Sequence, residues 1–373
     1  MKGSYMKKLG FGLMRLPLLE DGKTIDIERT KAMVDRFMTE GFTYFDTAAP
    51  YHGGMSEVAF RQAVSERYPR DSYVLADKLS LFKIGSAEEI PSFFENQLAS
   101  LGVDYIDYYL LHAMSESSYN RAREFGAFDF VKKKKEEGKL RNIGFSFHDS
   151  PEVLDRILTE QPEMEFVQLQ INYLDWLDGG VQAQKCHEVA RKHKKPIIVM
   201  EPVKGGALAN VSPEAVALFK SARPELSAAG WAVSFAASLE GVMMVLSGMS
   251  NEEQMENNLS YMKDFVPFTA EEIELSLKAA DIVKNDNAIP CTACRYCTDD
   301  CPQKIAIPEL FKTYNDYRRF QGSNLEGARH RYNGICQNSA KASECIGCGV
   351  CESHCPQHID IREQLKLISK TFE

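Results

Sequence analysis

The segment Tyr73-Val74-Leu75-Ala76-Asp77-Lys78, a helical stretch over 86–101, and then Tyr105-Ile106-Asp107-Tyr108-Tyr109-Leu110-Leu111-His112 set the architecture of this chain. Two β-branched, aromatic and aliphatic runs flank a segment in which Ile90, Phe93, Phe94, Leu98 and Leu101 recur on one helical face. Strand, helix and strand in that order read as a βαβ unit with parallel strands. The same alternation continues in both directions. Strands are expected over 8–14, 42–46, 73–78, 105–111, 142–146, 166–171, 197–200 and 243–247, with helical periodicity between them. Eight such units within the first 268 residues match an α/β fold of the (β/α)8 TIM barrel type. An open doubly wound sheet permits the same alternation. It lacks its dinucleotide fingerprint here, because Gly10-Phe11-Gly12 has no third glycine and falls inside a strand.

Beyond the barrel, the C-terminus carries Cys291-Thr-Ala-Cys294-Arg-Tyr-Cys297-Thr-Asp-Asp-Cys301-Pro302 and Cys345-Ile-Gly-Cys348-Gly-Val-Cys351-Glu-Ser-His-Cys355-Pro356. Each is a complete C-x2-C-x2-C-x3-C-P run, the spacing of cubane iron–sulfur ligation. Thiolates are soft ligands suited to iron, and three within one tight loop can cap three corners of a [4Fe–4S] cube. In two-cluster ferredoxins the last cysteine of each run reaches the other cluster. Cys291, Cys294 and Cys297 are therefore expected to share one cluster with Cys355, and Cys345, Cys348 and Cys351 the other with Cys301. Zinc is the rival, but it takes separated cysteine pairs rather than two copies of a dense run. The expected organisation is a barrel over 1–268, a linker helix over 269–287, and a ferredoxin-like, mostly helical domain with two [4Fe–4S] clusters over 288–373. The insert between the runs, 312–344, carries Tyr314, Tyr317, Tyr332, Arg318, Arg319, Arg329 and Arg331, and is expected first to cover the clusters, with contact to the barrel or an acidic electron-transfer partner as the alternatives. Cys336 reads as a loop cysteine and Cys186 as a small core residue.

Hydrophobic residues make up 44% and charged residues 26% of 373, the balance of an ordinary globular protein. A net charge of −9 argues against nucleic acid as a partner. The stretch 228–249 is broken by Glu240-Gly241, so it reads as a buried helix and a strand rather than a membrane span. Eight of the ten cysteines lie in the two runs, which suits a reducing cytoplasm, and the N-terminus shows no apolar signal core. Lys132–Lys135 with Glu136 and Glu137 reads as a solvated helix face.

In a barrel of this type, chemistry belongs at the C-terminal ends of the strands. Asp46 ends the second expected strand, Tyr51 follows in its loop, Lys78 ends the third, and His112 ends the fourth. Adjacent strands bring all four to one rim.

This constellation resembles the aldo/keto reductase family. Phe45-Asp46-Thr47-Ala48 with Tyr51, then Gly54-Met55-Ser56-Glu57, follows the family's opening signature, and Lys139-Leu140-Arg141-Asn142-Ile143-Gly144-Phe145-Ser146 its mid-barrel one. The resemblance spans about residues 5–265, and the fused cysteine domain looks like the ferredoxin-bearing branch. It implies an oxidoreductase that moves hydride between a nicotinamide and a small carbonyl or alcohol substrate, with the clusters and a redox-protein partner handling single electrons. Tyr51 is then the general acid, Lys78 and Asp46 tune it, and His112 orients the carbonyl. The physics agrees: a phenol of pKa about 10 is a poor donor at neutral pH, and a neighbouring ammonium improves it. The alternative is an electron-transfer protein whose barrel is a scaffold.

The resemblance also implies the dinucleotide contacts. Ser146 and Gln168 hold the carboxamide, although Phe147-His148 replaces the asparagine of relatives. Met200 stands where relatives stack an aromatic ring. Lys204, Gly205 and Gly206 cradle the pyrophosphate, and Gln254 and Asn258 meet the adenosine. Glu252, Glu253 and Glu256 around these last positions favour NADH over NADPH. Pocket walls are expected from the loop 115–128 and from the C-terminal domain.

Overall fold

The structure, a computed structural model, describes residues 6–286, 289–319 and 325–373. Residues 1–5 and the expected boundary at 287/288 lie outside the described residues. The chain divides into two compact units. The first comprises Met1–Leu177, Val181–Pro202 and Ala229–Thr269; the second comprises Asp178–Gly180, Val203–Ala228 and Ala270–Glu373.

The first unit is a closed barrel of eight parallel strands in sequence order. They are β1 (Leu9–Gly12), β2 (Tyr44–Asp46), β3 (Val74–Leu79), β4 (Ile106–Met114), β5 (Leu140–Phe147), β6 (Phe166–Gln170), β7 (Ile197–Met200) and β8 (Val242–Ser247). All eight fall on the segments expected from the sequence. The fourth runs further than expected, so His112 lies within β4 rather than at its end. The β4–β5 pairing slips between Leu111 and Met114, and Ala113 adopts a φ of 56°, a conformation uncommon outside glycine.

The period of two along each strand then organises the interior. Tyr44, Ala76, Leu110, Phe166, Ile198, Met244 and Leu246 form one buried apolar cluster. Two residues further along the same strand faces stand Asp46, Lys78, His112, Gln168 and Met200, and Ser146 stands in the same relation to Gly144. One apolar layer thus carries a polar layer directly above it, towards the C-terminal ends of the strands. Gly144 keeps the lower layer closed, since a Cβ there would lie 2.4 Å from the Phe166 carbonyl oxygen and 2.8 Å from its ring.

The stretch 115–128 is not the expected loop. Ser115 caps a helix Glu116–Glu124, accepting from Ser118 N, and a second helix follows over Ala127–Glu136. Lys132 and Lys134 on that second helix pair with Asp129, Glu163, Glu95 and Glu137, the solvated face expected. The stretch 228–249 forms helix Ala228–Ser238 and β8. No helix among the described residues is long and apolar enough to cross a membrane.

In the second unit, helices Ile307–Arg319, Leu325–Cys336 and Ile361–Phe372 surround a core of Ile305, Leu310, Phe311, Ile359, Leu365 and Ile368 among others. The same core includes Cys297, Cys301 and Cys351, with insert residues packed into it. Tyr314, Tyr317 and Tyr332 gather around the Phe372 ring and build the core. Cys336 ends a helix rather than lying in a loop. Each cysteine run leads into its helix through the same heptapeptide pattern, Cys301-Pro-Gln303-Lys304-Ile305-Ala-Ile307 and Cys355-Pro-Gln357-His358-Ile359-Asp-Ile361. Lys304 and His358 share a left-handed φ, 55° and 51°.

Candidate active site and cluster cavities

Lys78 is the centre of the barrel-mouth group. Its side chain is 1% exposed, and Nζ donates to Asp46 Oδ1 at 2.7 Å and to the Thr47 carbonyl at 2.6 Å. A buried ammonium needs such partners, because its desolvation is otherwise uncompensated. Burial pushes the Asp46 carboxyl upward, and the charge of Lys78 opposes that shift. Nζ also lies 5.0 Å from the centroid of the Tyr51 ring. Tyr51 opens a tight turn, Tyr51–Gly54, in which His52 and Gly53 are left-handed. The turn is tied down where Leu16 N donates to His52 Nε2 at 3.1 Å. Ser56 just beyond it donates to the Leu13 carbonyl at 3.1 Å.

His112 completes the group, with its ring centroid 6.2 Å from that of Tyr51 in an edge-on arrangement. Burial drives the His112 pKa well below the usual imidazole value, and the charges of Lys78 and His148 act in the same direction. The ring is therefore neutral at pH 7. Ser80 Oγ sits 2.7 Å from His112 Nδ1; with the hydroxyl donating there, the ring proton resides on Nε2. The sequence reading missed Ser80. Its signal is positional: it lies two residues beyond Lys78.

A buried carboxyl pair, also missed, stands behind Lys78. Gln97 Nε2 donates to Glu57 Oε1 at 3.0 Å, Asp77 Oδ2 at 2.8 Å and the Lys78 carbonyl at 3.1 Å. Tyr109 in turn donates to Gln97 Oε1. Burial first, and the Glu57 charge second, push Asp77 well above the carboxylate range, so it is the protonated member. This network fixes the backbone of β3 beneath the ammonium.

Of the expected dinucleotide contacts, Ser146 and Gln168 come together at the mouth. They face each other in register across β5 and β6. Ser146 Oγ accepts from Ala113 N at 2.8 Å, and the buried Gln168 Oε1 meets no donor among the described residues. An orphaned buried acceptor of that kind suits a carboxamide N–H. Met200 ends β7 and is partly exposed. Asn258 is buried, donates to the Gln254 carbonyl at 2.8 Å, and keeps Oδ1 unmatched among the described residues. Gln254 Oε1 accepts from Ser250 N. The charge argument for NADH loses its footing. Arg29 donates to Glu252 at 2.8 Å and Arg36 to Glu256 at 2.9 Å, which leaves neither as a bare repelling charge.

Lys204 and Gly205 belong to the second unit. Lys204 is 3% exposed and donates to Gln357 Oε1 at 3.1 Å. Gly205 lies against Thr292, whose carbonyl oxygen would be 2.2 Å from a Cβ at that position.

In the same unit, two cavities are ringed by the cysteines. Cys291, Cys294, Cys297 and Cys355 line one of about 310 Å³, with Thr292, Phe311 and Gln357 in its wall. Cys301, Cys345, Cys348 and Cys351 line another of about 330 Å³, with Gln303 and Ile305. Each cavity draws three cysteines from one run and the last cysteine of the other. Cys336 lines neither. Among the described residues no three His, Cys, Asp or Glu side chains converge tightly enough for a single ion. Ligands spread around a cavity fit a cube, whose corners hold the sulfurs apart, better than tetrahedral zinc. Burial raises the Cys297 thiol and takes that of Cys351 to about 11, so loading iron must displace protons.

Residues 8–280 match the profile described as the aldo/keto reductase family, and residues 290–359 that of a 4Fe-4S dicluster domain. The chain is 29% identical over 198 residues to the NADH-specific methylglyoxal reductase of Escherichia coli, covering 46% of this chain and 59% of that protein. It is 32% identical over 139 residues to an aldo-keto reductase of Bacillus subtilis, covering 34% and 38%. The chain thus spans between 38% and 59% of the length of these two curated relatives. An aldo-keto reductase structure from Bacillus halodurans superposes with a TM-score of 0.59 at 23% identity, covering 73% of this chain and 91% of that one. One from Klebsiella pneumoniae in complex with NADP and acetate gives 0.59 at 20% identity, with the same coverages. These two likenesses speak for the fold alone. The profile match extends over most of the chain, and on that ground it belongs to the aldo/keto reductase family, with a 4Fe-4S dicluster domain following the barrel.

Proposed function

We propose that the protein is an NAD(P)H-dependent oxidoreductase that reduces a small carbonyl, or runs the reverse oxidation, at the barrel mouth. Two [4Fe–4S] clusters held by the eight cysteines exchange single electrons with a redox partner. In this reading the barrel domain covers 1–268 and the iron–sulfur domain 288–373. One observation carries the proposal: the Lys78 ammonium is fixed by Asp46 and Thr47 within reach of the Tyr51 ring, with neutral His112 edge-on beside it.

When bound, the nicotinamide supplies the hydride and the clusters supply one-electron storage. Ser146, Gln168 and Met200 would hold the nicotinamide end, and Gln254 and Asn258 the adenosine. Tyr51 gives its proton to the carbonyl oxygen as negative charge develops there. Lys78 stabilises the phenolate left behind, and Asp46 keeps Lys78 in place. His112 donates from Nε2 to the same oxygen, its orientation set by Ser80. General acid catalysis of this kind contributes about 10²–10⁴-fold. Tyr51→Phe should therefore cut carbonyl reduction by that factor and leave the iron content intact. Unchanged turnover would remove Tyr51 from the role.

One observation favours a second reading, an electron-transfer protein with a scaffold barrel. Lys204 and Gly205, assigned to the pyrophosphate, are engaged by Gln357 and Thr292. Calorimetry of NADH and NADPH with the iron-loaded protein separates the two. Binding of neither selects the scaffold.

A further inference from the structure

The two cysteine cavities are built from one repeated pattern, yet what backs their equivalent glutamines differs. Gln303 and Gln357 each stand two residues after the last cysteine of their run, and each lines a cavity. Gln357 receives the buried Lys204 ammonium at 3.1 Å. Gln303 makes no hydrogen bond among the described residues. Lys204 is held in place at some cost. Its φ of 47° is left-handed, followed by Gly205 at 62° and Gly206 at 95°, a run that a non-glycine residue rarely opens. The close approach of Gly205 to Thr292, which lines the same cavity and follows Cys291, pins the loop a second time. Two contacts therefore seat a buried cation behind the wall of one cavity. Each cavity also has an exposed arginine in its own lining, Arg295 in this one and Arg362 in the other, ion-paired to Glu309 and Glu352.

We infer that Lys204 is an electrostatic positioning residue for the cluster of Cys291, Cys294, Cys297 and Cys355, raising the reduction potential of that cluster. This rests on the iron–sulfur reading above. Reduction adds one electron to a cluster and its four thiolates. A fixed positive charge in a low-dielectric wall stabilises the added negative charge, and cluster potentials respond to nearby charge, hydrogen bonds and solvent exposure. Solvent exposure acts in the opposite sense, because Cys348 is exposed and Ile346 beside it is 62% exposed at the other cavity, where water stabilises the added charge.

The test is an anaerobic redox titration followed by electron paramagnetic resonance, on the full-length iron-loaded protein without dinucleotide. Lys204→Met should lower the midpoint of one wave by about tenfold in the reduction equilibrium, roughly 59 mV for a one-electron couple. The other wave should stay in place. Lys204→Arg, which keeps the charge, should leave both waves near their original positions. If Lys204→Met does not load iron, Gln357→Glu sets a carboxylate against the ammonium in place and should lower the same wave. No shift in a fully loaded variant, or an equal shift of both waves, overturns the inference. An iron and sulfide count on the unmodified protein tests the cluster reading separately, so the two failures are distinguishable.

Discussion

The barrel mouth and the cysteine cavities reach similar local order by opposite routes. Asp46 and Lys78, in hydrogen-bond contact, lie 32 residues apart, and each comes from its own strand. Their meeting depends on barrel register, since a one-residue slip would turn a side chain to the other face. Each cavity instead takes three cysteines from a seven-residue loop and one from the distant run. The mouth depends on the global fold. The cavities depend on short loops and on metal. Damage to one region should therefore leave the other readable.

The largest separation is expected from Lys78→Met. Reductase activity should fall by about 10²–10⁴-fold, in keeping with loss of the phenol's partner. Removing one member of a buried ion pair should also cost about 3–5 kcal/mol of barrel stability, by leaving Asp46 uncompensated. The double variant Lys78→Met with Asp46→Leu should regain most of that stability and none of the activity. Denaturant unfolding and turnover measured together check this, and recovery of turnover would show that the pair is structural only. Iron content should not change in either variant.

Gly144→Ala offers a smaller effect on the same side of the comparison. The new methyl would meet the Phe166 carbonyl, a backbone group that cannot rotate away. Overpacking of this sort costs about 1–3 kcal/mol. A shift in the unfolding midpoint of the barrel, with both cluster signals intact, is the expected result. No loss of stability would mean that β5 and β6 relax more easily than the close contact implies.

The smallest effect is on pH dependence. His112 has a folded pKa below its unfolded value near 6.5, so between the two values the unfolded chain binds the extra proton. Its contribution to stability is complete above pH 6.5 and declines as pH falls, by up to about 1.4 kcal/mol per unit, until the folded pKa is reached. Asp77, shifted upward, has the opposite sign. The informative quantity is thus the difference between wild type and His112→Gln. That difference should widen between pH 7 and 5, and parallel curves would show that His112 is solvated.

Much of this was legible in the sequence because the signals were periodic. Eight alternations gave the barrel, and the strand positions of Asp46, Lys78 and His112 set them on one rim. Cysteine spacing gave both cavities. What stayed hidden depended on contacts between distant segments. The arginines that neutralise Glu252 and Glu256 lie on helix Ile27–Thr39, more than 200 residues away, so local composition misread that surface. Residues 115–128 are expected as a loop because pocket walls in such barrels come from loops, but a serine cap and its partners make the stretch helical. Lys204-Gly205-Gly206 carried a turn signature without any mark of Thr292 or Gln357, which only the fold brings to it.

The exchange of the last cysteine between the runs has a consequence for how the molecule matures. Neither cavity is complete until both loops and the helices between them have closed on each other, so the two inorganic centres are laced into one another's assembly. Delivery of iron and sulfide should behave as a cooperative event, and a population starved of iron should sort into fully furnished and empty chains rather than half-built ones.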